Sequence, residues 1–311
     1  MDLKSKIILI YGPTASGKSK FAIKLAKKIS GQIINADSMQ VYKELRILTA
    51  RPFLKDYQKI KHHLYGFQCA KINFSTGDWL KLVNEKILNC KKVKKTPIIV
   101  GGTGLYFKAL TDGLVNIPKI PINFRNKVRN LHKSIGQKKF FLKLLKIDPL
   151  IKNYVDSFDV QRSIRAYEIK LFTKNSMISW FKNTKSDYDP NKFFKIYIDF
   201  PRKNLIERIN LRTKKMIELG AILEVKRFIK LKVPKNKSVN KAIGISEIKQ
   251  YLKKKMQPEQ LIEKISIKTR QYAKRQSTWA RGNMKDWNKV NPDGLDKLLK
   301  KFRYPLLVLT N

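Results

Sequence analysis

Residues 7–19 read Ile7-Ile8-Leu9-Ile10-Tyr11-Gly12-Pro13-Thr14-Ala15-Ser16-Gly17-Lys18-Ser19. The apolar run at the start is long enough for a buried strand, and it ends at a loop bounded by glycines. Apolar residues then recur at helical spacing through residues 21–26. A strand, a GxxxxGK[ST] loop and a helix in this order are the context that a P-loop requires.

This loop predicts a binding site for a diphosphate or triphosphate. We expect the backbone N–H groups of residues 14–19 to point at the anion, with the positive end of the helix dipole behind them. Lys18 would reach across the same anion, and Ser19 would offer its hydroxyl to a Mg²⁺ ion carried by the phosphates. The predicted diphosphate- or nucleotide-binding residues are Gly12, Pro13, Thr14, Ala15, Ser16, Gly17, Lys18 and Ser19. The motif leaves open whether the phosphate is hydrolysed, transferred or lost as a leaving group.

The charge of the chain predicts a polyanionic partner. The 311 residues, 42% of them hydrophobic, suit one large or two ordinary domains with a proper core. The formal net charge is +45, from 68 Lys and Arg against 23 Asp and Glu. Part of the lysine excess reflects a chain-wide preference for Lys, Ile and Asn, as an AT-rich genome would dictate, but the positive charge extends over the whole length. Nucleic acid is therefore the first candidate, ahead of an anionic membrane surface.

Cysteine usage and hydropathy favour a cytosolic protein. Cys69 and Cys90 fit no metal-binding spacing and indicate a reducing compartment. The apolar run before the P-loop is too short for a signal peptide, and no run approaches the ~20 residues that span a bilayer.

Polar residues follow the predicted strands. Three further buried strands are predicted, at residues 32–36, 96–100 and 193–199. Because ligands bind at the carboxyl ends of strands in doubly wound sheets, Asp37 should lie beside the P-loop as a base or magnesium partner. A cap on the Met39–Tyr42 turn explains Asp37 equally well, and both roles can hold. A glycine loop at residues 101–104 carries Thr103, whose hydroxyl could reach phosphate or Asp37.

These elements predict an α/β fold. We expect a P-loop NTPase-like core with a parallel sheet and helices on both faces, plus an inserted all-helical domain. Proline-bearing links at residues 116–121 and 184–192 enclose the basic amphipathic helices of the insertion. The predicted core comprises residues 1–114 and 193–311, and the predicted insertion comprises residues 115–192.

Two later helices carry basic residues in a regular pattern. Arg208 and Arg212 are spaced i, i+4 and so face together. The helix over residues 258–281 is dense in basic side chains, interleaved with glutamines and with Tyr272 and Trp279. That composition favours a surface that grips an RNA backbone and stacks bases over a plain solvated face.

Taken together, these stretches resemble the bacterial tRNA dimethylallyltransferase (tRNA isopentenyltransferase) family. The matching blocks are Gly12–Ser19, Asp37-Ser38, Tyr42-Lys43, Thr49–Pro52, Gly101–Tyr106, Gln161-Arg162 with Arg165-Ala166, and Arg270–Trp279. The family transfers a dimethylallyl group from its diphosphate to the exocyclic amine of the adenosine just 3′ of a tRNA anticodon.

The resemblance implies roles for matching residues. The P-loop would hold the diphosphate of dimethylallyl diphosphate, with Mg²⁺ near Ser19, and Asp37 would be the general base. The implied catalytic residues are Asp37, Thr103, Lys18 and Arg212. The implied tRNA-binding residues are Asp37, Ser38, Met39, Gln40, Gln161, Arg162, Ser163, Ile164, Arg165, Lys241, Ala242, Ile243, Gly244, Ile245, Ser246, Lys274 and Arg275. The insertion would embrace the anticodon arm, and the protein would act as a monomer away from membranes.

The chain departs from the family pattern at a few positions. The family often has a glycine where Leu48 stands, an acidic residue near Gly66, and an aromatic–basic pair where Ile245-Ser246 stand. No Cys/His zinc module follows at the C-terminus, so the extended eukaryotic form is not expected.

Three other functions compete with this one. A P-loop kinase or NTPase acting on nucleic acid could use Asp37 or Asp199 for magnesium, but the glycine loop has no place in that scheme. An adenylate isopentenyltransferase would act on a free nucleotide, whereas the charge of +45 and the insertion favour a tRNA-sized acceptor. The P-loop speaks against a non-enzymatic RNA-binding module.

Overall fold

The core of the protein is a six-stranded parallel sheet. The computed structural model describes residues 5–182 and 184–302. The strands are β1 (Ile7–Tyr11), β2 (Gly31–Asn35), β3 (His62–His63), β4 (Thr96–Gly101), β5 (Phe193–Ile198) and β6 (Asn288–Val290). They lie in the order β3-β2-β4-β1-β5-β6, and every neighbouring pair is parallel. The predicted parallel sheet is confirmed, with the P-loop strand in its interior.

Eleven α-helices accompany the strands in the described chain, joined by loops and turns. They are α1 (Lys18–Ile29), α2 (Thr76–Lys92), α3 (Gly104–Thr111), α4 (Ile122–Ile147), α5 (Val160–Thr173), α6 (Met177–Lys182), α7 (Arg202–Glu218), α8 (Ala221–Lys230), α9 (Ile245–Leu252), α10 (Pro258–Asn283) and α11 (Gly294–Lys301). Short 3₁₀ turns occupy Leu54–Tyr57, Pro149–Asn153, Pro190–Lys192 and Ser238–Lys241. Within 5–182 and 184–302, no helix is both long and apolar enough to cross a membrane.

Both faces of the sheet are covered by helices, as predicted. Leu9 points to one face, where it belongs to a buried cluster with Trp79 of α2 and Phe107 of α3. Ile10 points to the other face and clusters with Leu25 of α1. Burial on both faces explains why β1 reads as an uninterrupted apolar run rather than an alternating one.

The chain divides into two compact units. One comprises the described parts of Met1–Thr111 and Tyr188–Asn311, and the other comprises the described part of Asp112–Asp187. The predicted insertion, residues 115–192, differs from the second unit by a few residues at each end. The C-terminal difference has a physical cause, because the Tyr188 ring packs edge-on against Phe193 of β5, 5.7 Å away.

The smaller unit has its own core and a buried ionic cluster. Its helices pack around apolar residues that include Phe140 and Leu144. The Glu168 carboxylate is 1% exposed and pairs with Arg125, Arg129 and Arg165 at 3.2, 3.8 and 3.4 Å. One carboxylate thus holds three guanidinium groups, and the cluster keeps an excess of positive charge.

Candidate active site at the P-loop

The P-loop lies where the sequence predicted it, between β1 and α1. Gly17 precedes the helix with a φ of 85°, a left-handed conformation that favours glycine. The loop forms one wall of a cavity of about 250 Å³, which we call the P-loop cavity. Its lining residues are Thr14, Ala15, Gly17, Lys18, Ser19, Lys20, Asp37, Gln40, Thr49, Ala50, Arg208 and Arg212. Four cationic side chains face a single carboxylate there, so the cavity suits an anion.

Two of the loop amides are engaged elsewhere, which corrects the prediction that every amide of residues 14–19 points at the anion. The Thr14 N–H donates to Oε1 of Gln276 over 2.8 Å. The Ser16 N–H donates to the Pro13 carbonyl over 3.2 Å. Long-range packing against α10 and a tight turn within the loop therefore take up two predicted anion contacts.

Lys18 lies over the loop, and the pKa of its ammonium group is close to neutral pH. Its Nζ donates to the Pro13 carbonyl over 3.3 Å. Burial lowers the pKa of Lys18 to about 8, an effect that the Asp37 carboxylate opposes and Arg212 reinforces. An anion bound in the P-loop cavity would favour the charged ammonium, so protonation of Lys18 and anion binding are coupled.

Asp37 caps the turn after β2 and also lines the P-loop cavity. Its Oδ1 accepts the Met39 N–H at 2.9 Å and the Gln40 N–H at 3.3 Å, which is the capping role. Oδ2 has no hydrogen-bonding partner among the residues that the structure describes, although Asp37 lines the P-loop cavity. Asn35, which is fully buried, holds the bend by bonding both the N–H and the carbonyl of Asp37. One carboxylate oxygen is structural, and the other is free for chemistry.

Thr103 is placed differently from the prediction that it reaches phosphate or Asp37. Its Oγ1 accepts the Ser38 N–H at 2.9 Å and donates to the Ser38 hydroxyl at 3.3 Å. It also lies close enough to the Tyr272 hydroxyl to lower the pKa of that phenol slightly. The glycine loop can approach the end of β2 this closely because Gly101 has no side chain. A Cβ on Gly101 would stand 2.0 Å from the Ala36 carbonyl oxygen. Thr103 therefore supports Ser38, the neighbour of Asp37, and lies beside Tyr272.

Arg212 and Arg208 project from one face of α7, as their spacing predicted. Arg212 donates from Nη1 to the Thr14 hydroxyl over 2.9 Å. Arg208 also lines the P-loop cavity, and its guanidinium stacks over the Phe200 ring, 4.8 Å from the centroid. The sequence assigned only Arg212 to the site, although the i, i+4 spacing was the signal that could have identified Arg208.

A second cavity, of about 270 Å³, adjoins the P-loop cavity. Its lining residues are Thr14, Asp37, Ser38, Met39, Leu48, Thr49, Ile209, Arg212, Thr213, Met216, Lys241, Ala242, Ile243, Ile265, Thr269, Tyr272 and Arg275. The two cavities share Thr14, Asp37, Thr49 and Arg212. The second cavity combines an apolar wall with the Asp37 carboxylate and the Tyr272 phenol. Burial, and then the Asp37 carboxylate, raise the pKa of Tyr272 well above its ordinary value, so this phenol stays protonated.

Helix α10 presents two faces, which corrects its interpretation as a single RNA-contacting surface. Lys274 and Arg275 are exposed. Gln276 is 5% exposed, and Trp279 lies against Gly104, where a Cβ would come within 2.3 Å of its ring. Trp279 is therefore part of the packing beneath the glycine loop and is not a base-stacking platform.

Other predicted RNA contacts also divide by burial. Lys241, Ala242 and Ile243 line the second cavity, and Ser246 is exposed. Ile245 is 2% exposed in the core, and Ser163 is fully buried with its hydroxyl donating to the Asp159 carbonyl. These two side chains are unavailable to a partner. Among the remaining predicted contacts, Gln161 and Arg162 are exposed at the start of α5, Ile164 and Arg165 are half-buried, and Gly244 is buried.

Leu48, where the family often has a glycine, fills space beside a glycine elsewhere in the chain. Its Cδ1 stands 2.6 Å from the position that a Cβ on Gly244 would take. Leu48 is 6% exposed and belongs to the core cluster beneath the second cavity. Leu48 is thus accommodated by close packing against Gly244.

The largest of the cavities described here, of about 690 Å³, lies between α7 and α10, and no P-loop residue lines it. It contains Asp199, whose carboxylate accepts from the Tyr197 hydroxyl at 3.1 Å and pairs with Lys289 at 2.9 Å. The Asp199 charge is therefore neutralised by Lys289 of β6, and Asp199 does not line the P-loop cavity. This removes the sequence argument for an NTPase that binds magnesium through Asp199. The P-loop, and not the largest cavity, therefore marks the candidate active site.

The oxygen donors of the P-loop cavity fit a magnesium ion that arrives with a phosphate. No cluster of three or more His, Cys, Asp or Glu side chains suited to a metal occurs in the described residues. The Ser19 hydroxyl and the Asp37 carboxylate both line the P-loop cavity. Mg²⁺ usually takes one or two carboxylates and completes its shell with water and substrate phosphates, so this donor set is compatible with it.

Comparison with known proteins agrees with this geometry. The tRNA dimethylallyltransferase of Pelagibacter ubique (strain HTCC1062) is 59% identical over 309 residues, 99% of each chain. That of Allorhizobium ampelinum is 44% identical and covers 94% of this chain and 97% of its own. A tRNA delta(2)-isopentenylpyrophosphate transferase structure from Staphylococcus epidermidis superposes with a TM-score of 0.67 at 30% identity, covering 94% of this chain and 96% of that one.

A structure of a eukaryotic dimethylallyltransferase acting on tRNA superposes with a TM-score of 0.80 at 27% identity, covering 92% of this chain and 73% of that one. The family model for IPP transferase matches residues 40–283, which begin just after the P-loop and Asp37. The full-length relatives extend the match across that N-terminal part. The resemblance stated from the sequence is confirmed: this chain belongs to the IPP transferase family.

Proposed function

We propose that this protein transfers a dimethylallyl group from dimethylallyl diphosphate to the exocyclic amine of the adenosine 3′-adjacent to a tRNA anticodon, releasing diphosphate. One observation carries the proposal: a cationic cavity and a partly apolar cavity share an edge made of Thr14, Thr49, Asp37 and Arg212. An alkyl transfer needs a place for the leaving anion, a place for the acceptor, and a shared edge where the reacting atoms meet.

The P-loop cavity suits the leaving diphosphate. Loss of diphosphate from an allylic carbon builds negative charge on the bridging oxygen, and fixed cations stabilise that charge most where water is excluded. Lys18 and Arg212 supply such cations from the loop and from α7, and Arg208 adds a third. A Mg²⁺ ion held by Ser19 and the phosphates would neutralise further charge on the leaving group.

The second cavity suits an adenine and the alkyl group. Its apolar side chains, such as Met216 and Ile265, can surround the prenyl chain, and Tyr272 offers a protonated hydroxyl. The free Oδ2 of Asp37 is available to take the amine proton as the new C–N bond forms. A base in a folded anticodon loop must leave its stack to reach such a cavity.

A tRNA-sized acceptor is supported by the charge of the chain. The net charge is +45, and the outer face of α10 presents Lys274 and Arg275 to solvent. Gln161 and Arg162 lie exposed at the start of α5 in the inserted unit.

One assay distinguishes the candidate functions. The protein is incubated with labelled dimethylallyl diphosphate and offered tRNA, AMP or ATP alone. We expect label in tRNA only. Label in AMP would indicate an adenylate isopentenyltransferase, and release of phosphate from ATP without label transfer would indicate an NTPase.

A further inference from the structure

A single glutamine of α10 connects the two loops of the site. Gln276 is 5% exposed, and its side-chain amide lies between the P-loop and the glycine loop. Its Oε1 accepts the Thr14 N–H at 2.8 Å, and its Nε2 donates to the Gly102 carbonyl at 2.7 Å. One partner needs an acceptor and the other needs a donor, so the amide can adopt only one orientation.

The surrounding structure keeps this amide in place. The Gln276 backbone carbonyl accepts the Tyr11 hydroxyl at 2.9 Å, which fastens α10 to the end of β1. A Cβ on Gly102 would stand 2.2 Å from the Gln276 Nε2, so the glycine allows the loop to approach the amide closely. Thr14 and Gln276 are 262 positions apart, so tertiary folding alone brings them together.

The two loops carry groups with different tasks. On the P-loop side, the Thr14 hydroxyl accepts from Arg212, which faces the diphosphate cavity. On the glycine-loop side, Thr103 holds the N–H of Ser38, the neighbour of Asp37. The distance between the two loops therefore fixes the distance between the groups that would hold the diphosphate and the groups that would hold the accepting amine.

We propose that Gln276 is a positioning residue, which keeps the P-loop in register with the glycine loop so that the leaving diphosphate and the accepting amine meet at Asp37. The predicted effect on the transfer rate rests on the proposed function, whereas the connection between the two loops does not. Because the side chain bonds both loops and lines neither cavity, its loss should slow transfer far more than it weakens substrate binding. A misplacement of about 1 Å in reacting groups can cost about 100-fold in rate.

Two variants test the role by different chemistry. Gln276→Met keeps the approximate size and removes both hydrogen bonds, and we expect kcat to fall about 100-fold with the KM for dimethylallyl diphosphate little changed. Gln276→Glu keeps an acceptor for the Thr14 N–H but sets a carboxylate against the Gly102 carbonyl. When that carboxyl is protonated it can donate again, so the rate relative to wild type should recover as the pH falls. Wild type and Gln276→Glu both contain the nearby titratable groups Tyr11, Lys18, Asp37 and Tyr272. The ratio of their transfer rates at each pH therefore reports the protonation of the new carboxyl alone.

A matched control glutamine lies at the amino ends of the strands, away from the carboxyl ends that carry the site. Gln32, near the start of β2, accepts from His63 through its Oε1 over 2.7 Å and lines neither cavity. Gln32→Met should lower the melting temperature through lost hydrogen bonds and leave kcat unchanged. Amide exchange of Thr14, measured without substrate, should quicken in Gln276→Met and stay normal in Gln32→Met.

The outcomes separate this inference from the proposed function. Failure of the wild-type protein to prenylate tRNA would refute the proposed function, whereas Thr14 exchange would still report whether Gln276 holds the P-loop. A folded Gln276→Met variant with wild-type kcat would overturn the positioning role. Loss confined to KM would also overturn it, since that result would place Gln276 in substrate binding.

Discussion

Replacing Asp37 with asparagine separates its two roles, because each carboxylate oxygen has a different environment. Oδ1 accepts the N–H groups of Met39 and Gln40, and an asparagine carbonyl oxygen can accept both of them. The cap therefore survives, and the free energy of unfolding should fall by less than about 1 kcal/mol. Oδ2, which bonds to no described residue, becomes an NH₂ group that cannot take a proton.

The expected kinetic effect is much larger than the structural one. Removal of a general base typically costs 10²-fold or more, so single-turnover transfer should slow by ~100-fold, which corresponds to about 2.7 kcal/mol of activation free energy. The Asp37 carboxylate raises the pKa of Lys18, so its loss lowers that pKa further, and saturating donor is needed to separate the chemical step from donor affinity. The experiment measures thermal melting, tRNA binding and single-turnover transfer with saturating dimethylallyl diphosphate.

A matched aspartate provides the control. Asp189 caps the Pro190–Lys192 turn by accepting the Asn191 N–H at 2.8 Å, and it lines neither cavity. Asp189→Asn should reproduce the small stability change of Asp37→Asn without a loss of rate. A well-folded Asp37→Asn protein that transfers at a near wild-type rate would refute the assignment of Asp37 as the base.

Four further outcomes are expected. The Kd for dimethylallyl diphosphate should rise as the pH passes through about 8, because Lys18 loses its proton, and Lys18→Arg should lose that part of the dependence; identical pH profiles for both proteins would contradict it. Arg212→Ala should slow transfer by ~100-fold and raise the KM for the donor, with tRNA binding near normal in a filter assay. Glu224→Ala should destabilise the protein by about 1–3 kcal/mol in urea unfolding, because the Glu224 carboxylate accepts three backbone N–H groups, from residues 46–48, each at 2.8 Å. The affinity for tRNA should fall with salt along a slope that corresponds to ~5 or more phosphates, and a flat dependence would argue against a basic RNA-binding surface.

Much of the P-loop site was predictable because its signals are local. The strand, glycine loop and helix that begin at Ile7 are contiguous, and burial on both faces makes β1 a plain apolar run. Asp37 was predictable because parallel strands align their carboxyl ends, so a polar residue after β2 must lie near the loop after β1. The family resemblance then assigned roles that spacing left open.

Short edge elements escaped prediction for a physical reason. The strand β3 consists of His62 and His63 alone, and β6 spans Asn288–Val290 with two of its three residues exposed. Segments this short and polar have no periodic apolar pattern, and only pairing with β2 and β5 makes them strands. Asp199 was misread as a possible magnesium ligand because its partner, Lys289, lies on β6.

The sequence by itself determined the parallel α/β architecture, the position of the phosphate loop and the identity of the carboxylate beside it. All of these follow from contiguous patterns of burial, glycine and charge. Tertiary structure alone decided which amides of the loop face the anion and which face of α10 turns inward. Thr14 meets Arg212 across 198 positions and Gln276 across 262. A helical period indicates that two faces exist, but the packing partner determines which face is buried, and that partner lies far away in the chain.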